Sequence, residues 1–166
     1  MKVINVYVDG NLTQEGMAVG IFLIKDVDDN ILTTAEFIPE EECSTKRQAA
    51  YQAIAKTLQI MVDFGLNSFK GPIRVHVESR AIVKQLSGKY PIKQKSLQEA
   101  YEKVIALKQY FKKMEFVPFS GNLTIHIVQM KEDDQRKKLE ALARQSGPPA
   151  ETERSGDGKV ENQDGD

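Results

Sequence analysis

The sequence predicts an α/β fold built on a five-stranded mixed sheet flanked by helices, and three observations lead to that class. Period-two apolar runs crowd the first forty residues, separated by short turn sequences. Amphipathic helical stretches follow, with strand-like runs between them. The order is therefore three consecutive strands and then helices alternating with strands, which suits an antiparallel meander extended by parallel crossovers.

The first strand is "VINVYV", with Val3, Asn5 and Tyr7 on one side and Ile4, Val6 and Val8 on the other. That alternation predicts a strand buried on both faces. The chain turns around Gly16 to Gly20, runs out through "VGIFLIKD", turns again at Asp28-Asp29-Asn30 and returns through "ILTTAEFIP". Ser44 or Thr45 then suits a helix N-cap, and Ala50, Ile54, Leu58 and Met61 fall on one helical stripe that ends at Gly65. "IRVHVES" reads as a fourth strand, "RAIVKQLSG" as a short helix closed by Gly88, and "SLQEAYEKVIALKQYFKK" as a long helix with Leu97, Tyr101, Val104, Leu107 and Phe111 on its apolar side. "MEFVPF" supplies a fifth strand. "SGN" fits either a hairpin turn or the start of a terminal helix, and "LTIHIVQM" has strand-like composition yet leads into the helical "KEDDQRKKLEALAR".

Size and composition set further bounds. The 166 residues suit one domain with its own core. From Gln145 onward the chain is rich in Gly, Pro, Ser and acids and has no aromatic residue, which predicts a folded domain over 1–143 and a disordered acidic tail over 144–166. From Gln145 onward the chain carries six acidic and two basic side chains against a whole-chain charge of −1, so the part before it is about +3. Such a mild excess means that any binding of a polyanion relies on a local patch. One cysteine, Cys43, permits no internal disulfide, the start is too short and polar for a secretory signal, and no run reaches membrane-spanning length. The expectation is a cytoplasmic protein without a membrane partner, in which the N-x-T sequons at Asn11 and Asn122 are fortuitous.

Asp9-Gly10 at the end of the first strand has two readings on its own chemistry. It is a carboxylate placed for catalysis, or a turn held by side-chain hydrogen bonding and glycine's freedom.

The order of elements, with Asp9-Gly10 in that place, resembles the small bacterial and archaeal type I ribonuclease H family, a reverse-transcriptase-like group. Gly20 matches the family's glycine about eleven residues after Asp-Gly. The family's Thr-Asn-Asn-x-Ala-Glu-Tyr-x-Ala-Leu is met by "TKRQAAYQAI", its Ser-Asp-Ser by "VES", and the following helix and link by "RAIVKQLSGKYPIKQKSLQEAYEKV". The resemblance implies a ribonuclease H-like fold and cleavage of the RNA strand of RNA·DNA hybrids. In the family four carboxylates hold two divalent ions, one activating water and the other stabilising the leaving oxygen.

Carried over position by position, the resemblance keeps the first acid as Asp9 and the third as Glu78, one methylene longer than an aspartate. The second falls on Ala50, which has no ligand atom, and its neighbours Gln48, Ala49, Tyr51 and Gln52 offer no carboxylate. For the fourth, the family's Val-Pro-x-x-x-Asn-x-x-Ala-Asp fits "VPFSGNLTIH" and puts His126 in the aspartate's place. An insertion before "LTIHIVQM" would put it near Lys137 instead. The first alignment needs the smaller length change. With Asp9 and Glu78 as remnants, two-metal hydrolysis is expected to be impaired, no cofactor to be required, and Mg²⁺ or Mn²⁺ to be held weakly by this pair if any activity remains.

Other replacements point toward retained binding. The family's Asn-Asn becomes Lys46-Arg47 and a polar residue becomes Lys84, so Thr45, Lys46, Arg47 and Lys84 form a candidate phosphate clamp, extended by Lys89, Lys93 and Lys95 around Tyr90. The family's hydroxyl-reading Gly-Asn-Pro-Gly turn is replaced by "NLTQEG". Three functions follow as expectations. The leading one is a catalytically impaired ribonuclease H-like protein binding RNA·DNA hybrid or double-stranded RNA through a local basic face. The others are a weak metal-dependent nuclease and a protein-interaction module on the same scaffold. His76 is expected to be structural, and Cys43, lacking a basic partner, unreactive.

Overall fold

A computed structural model describes residues 2–146. Strands β1 (Ile4–Leu12), β2 (Ala18–Lys25) and β3 (Ile31–Phe37) form the antiparallel meander, and β4 (Ile73–Val77) and β5 (Met114–Pro118) extend it in parallel. The sheet order is β3-β2-β1-β4-β5, with β1 at the centre. Helix α1 (Lys46–Asp63) carries the chain from β3 back to β4. Helices α2 (Arg80–Leu86) and α3 (Lys95–Lys108) link β4 to β5, and α4 (Leu123–Ser146) follows β5. The fold class is as the sequence predicts.

Turn chemistry fixes the meander. In the first hairpin Thr13 N–H donates to the Met17 carbonyl at 2.8 Å, and Gly16 takes the left-handed conformation with φ 86°. In the second, Asp26 Oδ1 accepts from the backbone N–H groups of Asp28 (2.9 Å) and Asn30 (3.0 Å).

The core lies between the sheet and α1. Ile4, Val6 and Val8 of β1 are fully buried there with Ile54, Leu58 and Met61 of α1. Each such side chain contributes about 1.5–3 kcal/mol by leaving water. Gly10 sets how closely α1 can approach: a Cβ on it would strike the Ala49 carbonyl and lie 2.6 Å from Ala50 Cα. α1 is also buried on its other side against α3, so Tyr51, Ala53 and Thr57 are buried beside the expected stripe.

One expectation is corrected, and one alternative that the sequence left open is decided. The second face of β1 is half-buried: Asn5 and Tyr7 are partly open, with His76 stacked on Tyr7 and bonded to Asn5. "SGN" starts a helix and "LTIHIVQM" lies within it: Asn122 caps α4, its Oδ1 accepting from Ile125 N–H at 3.0 Å, and the helical pattern of the following residues prevails over the local β-propensity. The chain comprises two compact units that divide at Gln129/Met130. Residues 130–146 are helical to Ser146, past the expected boundary at 143, and carry the intrahelical ion pairs Arg136–Asp133 (3.2 Å) and Lys138–Asp134 (3.1 Å). The rest of the expected tail lies outside the described residues. No described helix is long and apolar enough to cross a membrane.

Candidate functional site

The site forms where Val8 and Asp9 of β1, the residue after β4 and the first turn of α1 meet. A cleft of about 250 Å³ opens there, lined by Asp9, Lys46, Arg47, Glu78 and Ser79 around a floor of Val8, Ala50, Ile54, Val77 and Ile82. The parallel pairing of β4 with β1 brings Glu78 beside Asp9. Ala50, on the α1 turn pressed against Gly10, contributes only a methyl group.

Both carboxylates already have partners. Asp9 is 6% exposed, and its Oδ2 accepts the Thr124 hydroxyl at 2.7 Å. Burial raises its carboxyl pKa above the ordinary range, with the Thr124 bond opposing and the Glu78 charge adding to the rise. Glu78 Oε2 accepts the Leu123 backbone N–H at 2.8 Å, a carboxylate at the N-terminus of α4. Its Oε1 pairs with Lys46 Nζ at 3.3 Å. The extra methylene of Glu78 thus links the starts of α1 and α4. Among the described residues no group of three or more His, Cys, Asp and Glu side chains has metal-holding geometry.

The start of α1 is built for capping and loaded with cations. Thr45 Oγ1 accepts from Gln48 N–H at 3.1 Å, and Gln48 Oε1 accepts from Thr45 N–H at 3.2 Å, forming a capping box. The first turn has no acid and begins Lys46-Arg47, the less favourable sign at a helix N-terminus by about 0.3–1 kcal/mol per charge. Thr45, Lys46 and Arg47 are all exposed.

Lys84 and Lys89 lie at the end of α2, and Lys95 begins α3. Gly88, with φ 82°, closes a Schellman motif in which Lys89 N–H donates to the Lys84 carbonyl at 2.9 Å and Gly88 N–H to that of Gln85 at 3.1 Å. This turns Lys89 and Tyr90 back beside Lys84. Lys84 Nζ lies 5.0 Å from the Tyr90 ring centroid and donates to its hydroxyl at 3.2 Å.

Near the expected fourth position, the side chain that reaches Asp9 is that of Thr124. Thr124, which sequence reasoning missed, meets Asp9, whereas His126 packs against Phe119 and Tyr7 with ring centroids 4.9 and 5.5 Å away. The reason is helical phase. Leu123 and Ile127 form the buried ridge of the first turn, and Thr124 and His126 flank it on opposite sides. Lys137 belongs to the second unit, outside the one that holds Asp9. The asparagine at 122 marked the helix start and could have revealed the phase.

His76 stacks on Tyr7 at 4.4 Å and bonds Asn5 Oδ1 at 2.9 Å through Nε2. Burial, with the nearby Arg74 and His126 charges, lowers its pKa to about 4. Cys43 is partly buried, and burial with the Glu41 charge raises its pKa, the opposite of an activated thiol.

The profile of the family described as "Reverse transcriptase-like" matches residues 7–128. No curated protein matches the chain. Among solved structures the chain is similar to LC11-RNase H1, isolated from compost by a metagenomic approach. One structure of it aligns at 24% identity over 84% of this chain and 99% of that one, with a TM-score of 0.67. LC11-RNase H1 in complex with an RNA/DNA hybrid aligns at 26% identity over 70% and 84%, with a TM-score of 0.62. RNase H1 of the halophilic archaeon Halobacterium salinarum NRC-1 aligns at 21% identity over 70% and 85%, also with a TM-score of 0.62. With the profile covering most of the chain and the sheet order and helices those of ribonuclease H, the chain belongs to the reverse transcriptase-like family and has the ribonuclease H-like fold.

Proposed function

We propose that this protein binds nucleic acid, an RNA·DNA hybrid or duplex RNA, and does not hydrolyse it by two-metal chemistry. One observation carries the reading: in the cleft, Asp9 and Glu78 are engaged by Thr124, Leu123 N–H and Lys46, while Ala50 supplies no ligand. Paired Mg²⁺ or Mn²⁺ ions need several hard oxygen ligands each and net negative charge around them. Two carboxylates beside the cations Lys46 and Arg47 do not fit that demand.

Binding is supported by the exposed Thr45, Lys46 and Arg47 at one helix start and by Lys84, Lys89 and Tyr90 at the end of α2. The Thr45 oxygen accepts within the capping box, which leaves its hydroxyl proton for a phosphate oxygen. A related fold, LC11-RNase H1, has been solved with a hybrid bound. Titrating labelled hybrid, duplex RNA, duplex DNA and single strands over a range of salt tests the proposal. Absence of binding to all four at low salt would overturn it.

A second reading is a weak metal-dependent nuclease. It is favoured only by the convergence of Asp9 and Glu78 on one cleft. Products formed with Mn²⁺ that vanish in Asp9→Asn would establish it.

A further inference from the structure

We propose that Lys46 is a built-in replacement for a divalent ion: its ammonium lies in the cleft against Glu78 and presents fixed positive charge to a backbone phosphate, so that nucleic-acid binding needs no metal. The proposal rests on the nucleic-acid reading above. Lys46 Nζ is 3.3 Å from Glu78 Oε1, while the other Glu78 oxygen is taken by Leu123 N–H at 2.8 Å. An ammonium has three donors, so one bond to Glu78 leaves two for phosphate oxygens. Its side chain is 55% exposed, which keeps those donors accessible.

Charge balance agrees with the geometry. Two carboxylates, Asp9 and Glu78, and two cations, Lys46 and Arg47, line the cleft, so it is neutral without any ion. A divalent cation bound between Asp9 and Glu78 would meet the like charge of Lys46 on the Glu78 carboxylate. The first turn of α1 disfavours cations, and Glu78 supplies the anion that holds Lys46 in place. Arg47 lines the same cleft and adds to the field.

Two titrations of the full chain test this. In the first, fluorescence anisotropy follows binding of labelled hybrid in EDTA and in Mg²⁺ or Mn²⁺ at matched ionic strength. The wild type is expected to bind equally in all three. Lys46→Gln is expected to bind roughly tenfold more weakly in EDTA, with a salt slope reduced by about one, and to recover on adding Mn²⁺; Lys46→Arg should behave as the wild type. In the second, free Mn²⁺ is followed by electron paramagnetic resonance without nucleic acid, where Lys46→Gln should take up the ion and the wild type should not. A wild type whose hybrid binding requires a divalent ion, or equal Mn²⁺ uptake by both proteins, would overturn the replacement. Loss of hybrid binding in every protein and buffer would instead remove the nucleic-acid reading, and the Mn²⁺ titration would still decide the role of Lys46. Thermal melts of the variants establish that each is folded.

Discussion

The Thr124 hydroxyl donates to Asp9 Oδ2 at 2.7 Å, tying the first turn of α4 to β1. Asp9 is buried, so this bond satisfies an oxygen that water does not reach freely. Thr124→Val keeps the shape and deletes the donor, and is expected to cost about 1–3 kcal/mol in denaturant unfolding. Thr124→Ser should retain most of the stability. A Thr124→Val protein as stable as the wild type would show that Asp9 finds another partner.

Stability should fall on acidification, with opposing contributions from two groups. The folded-state pKa of His76 is about 4, below the ordinary value near 6.5, so the unfolded chain binds more protons between those values and stability falls as pH drops through that window. Asp9 acts oppositely: its raised folded pKa means the native state binds the extra proton, which restores stability as pH falls toward the ordinary carboxylate range. Unfolding followed against pH should therefore show a shallower acid loss in His76→Gln. Asp9→Asn should be more stable than the wild type near pH 7 and lose that advantage in acid.

The cleft should accept a restored acid. Ala50 lies on its floor, and the open volume of about 250 Å³ exceeds the extra volume of a glutamate side chain. Ala50→Glu combined with Lys46→Gln brings three carboxylates to one cleft without the competing ammonium. Calorimetry is expected to show Mn²⁺ binding about tenfold or more tighter than that of Lys46→Gln alone. Equal affinity in the two proteins would mean that position 50 does not face the carboxylates.

Lys84 and Tyr90 are expected to act together. Lys84→Ala should weaken hybrid binding and lower the salt slope by about one, uniformly across sequences. Tyr90→Phe keeps the ring beneath the ammonium and should bind nearly as the wild type, whereas Tyr90→Ala should match Lys84→Ala. Equal binding by wild type and Lys84→Ala would exclude the end of α2 from the interface.

Much of this was legible from residue order because each feature depends on local chemistry. The alternation of Ile4, Val6 and Val8, the Thr45 cap and the Gly88 stop all appear in the structure, whereas the first strand, expected to end at Asp9-Gly10, runs on to Leu12. What remained hidden depends on phase and on partners distant in sequence. Thr124 was missed because an alignment by motif counts residues, whereas the side chain that reaches Asp9 is chosen by where the first turn of α4 begins. The pairing of Lys46 with Glu78 joins residues from separate elements and has no local signature. Likewise, the helical state of "LTIHIVQM" follows from the Asn122 cap and the residues after it, against its own composition.

The central claim is that this cleft holds nucleic acid without cutting it. The direct measurement incubates end-labelled RNA·DNA hybrid with saturating purified protein in Mn²⁺ and reads both complex formation and strand length from the same samples. Salt-sensitive binding with the RNA strand intact is the predicted result. Cleavage that disappears in Asp9→Asn would contradict the account.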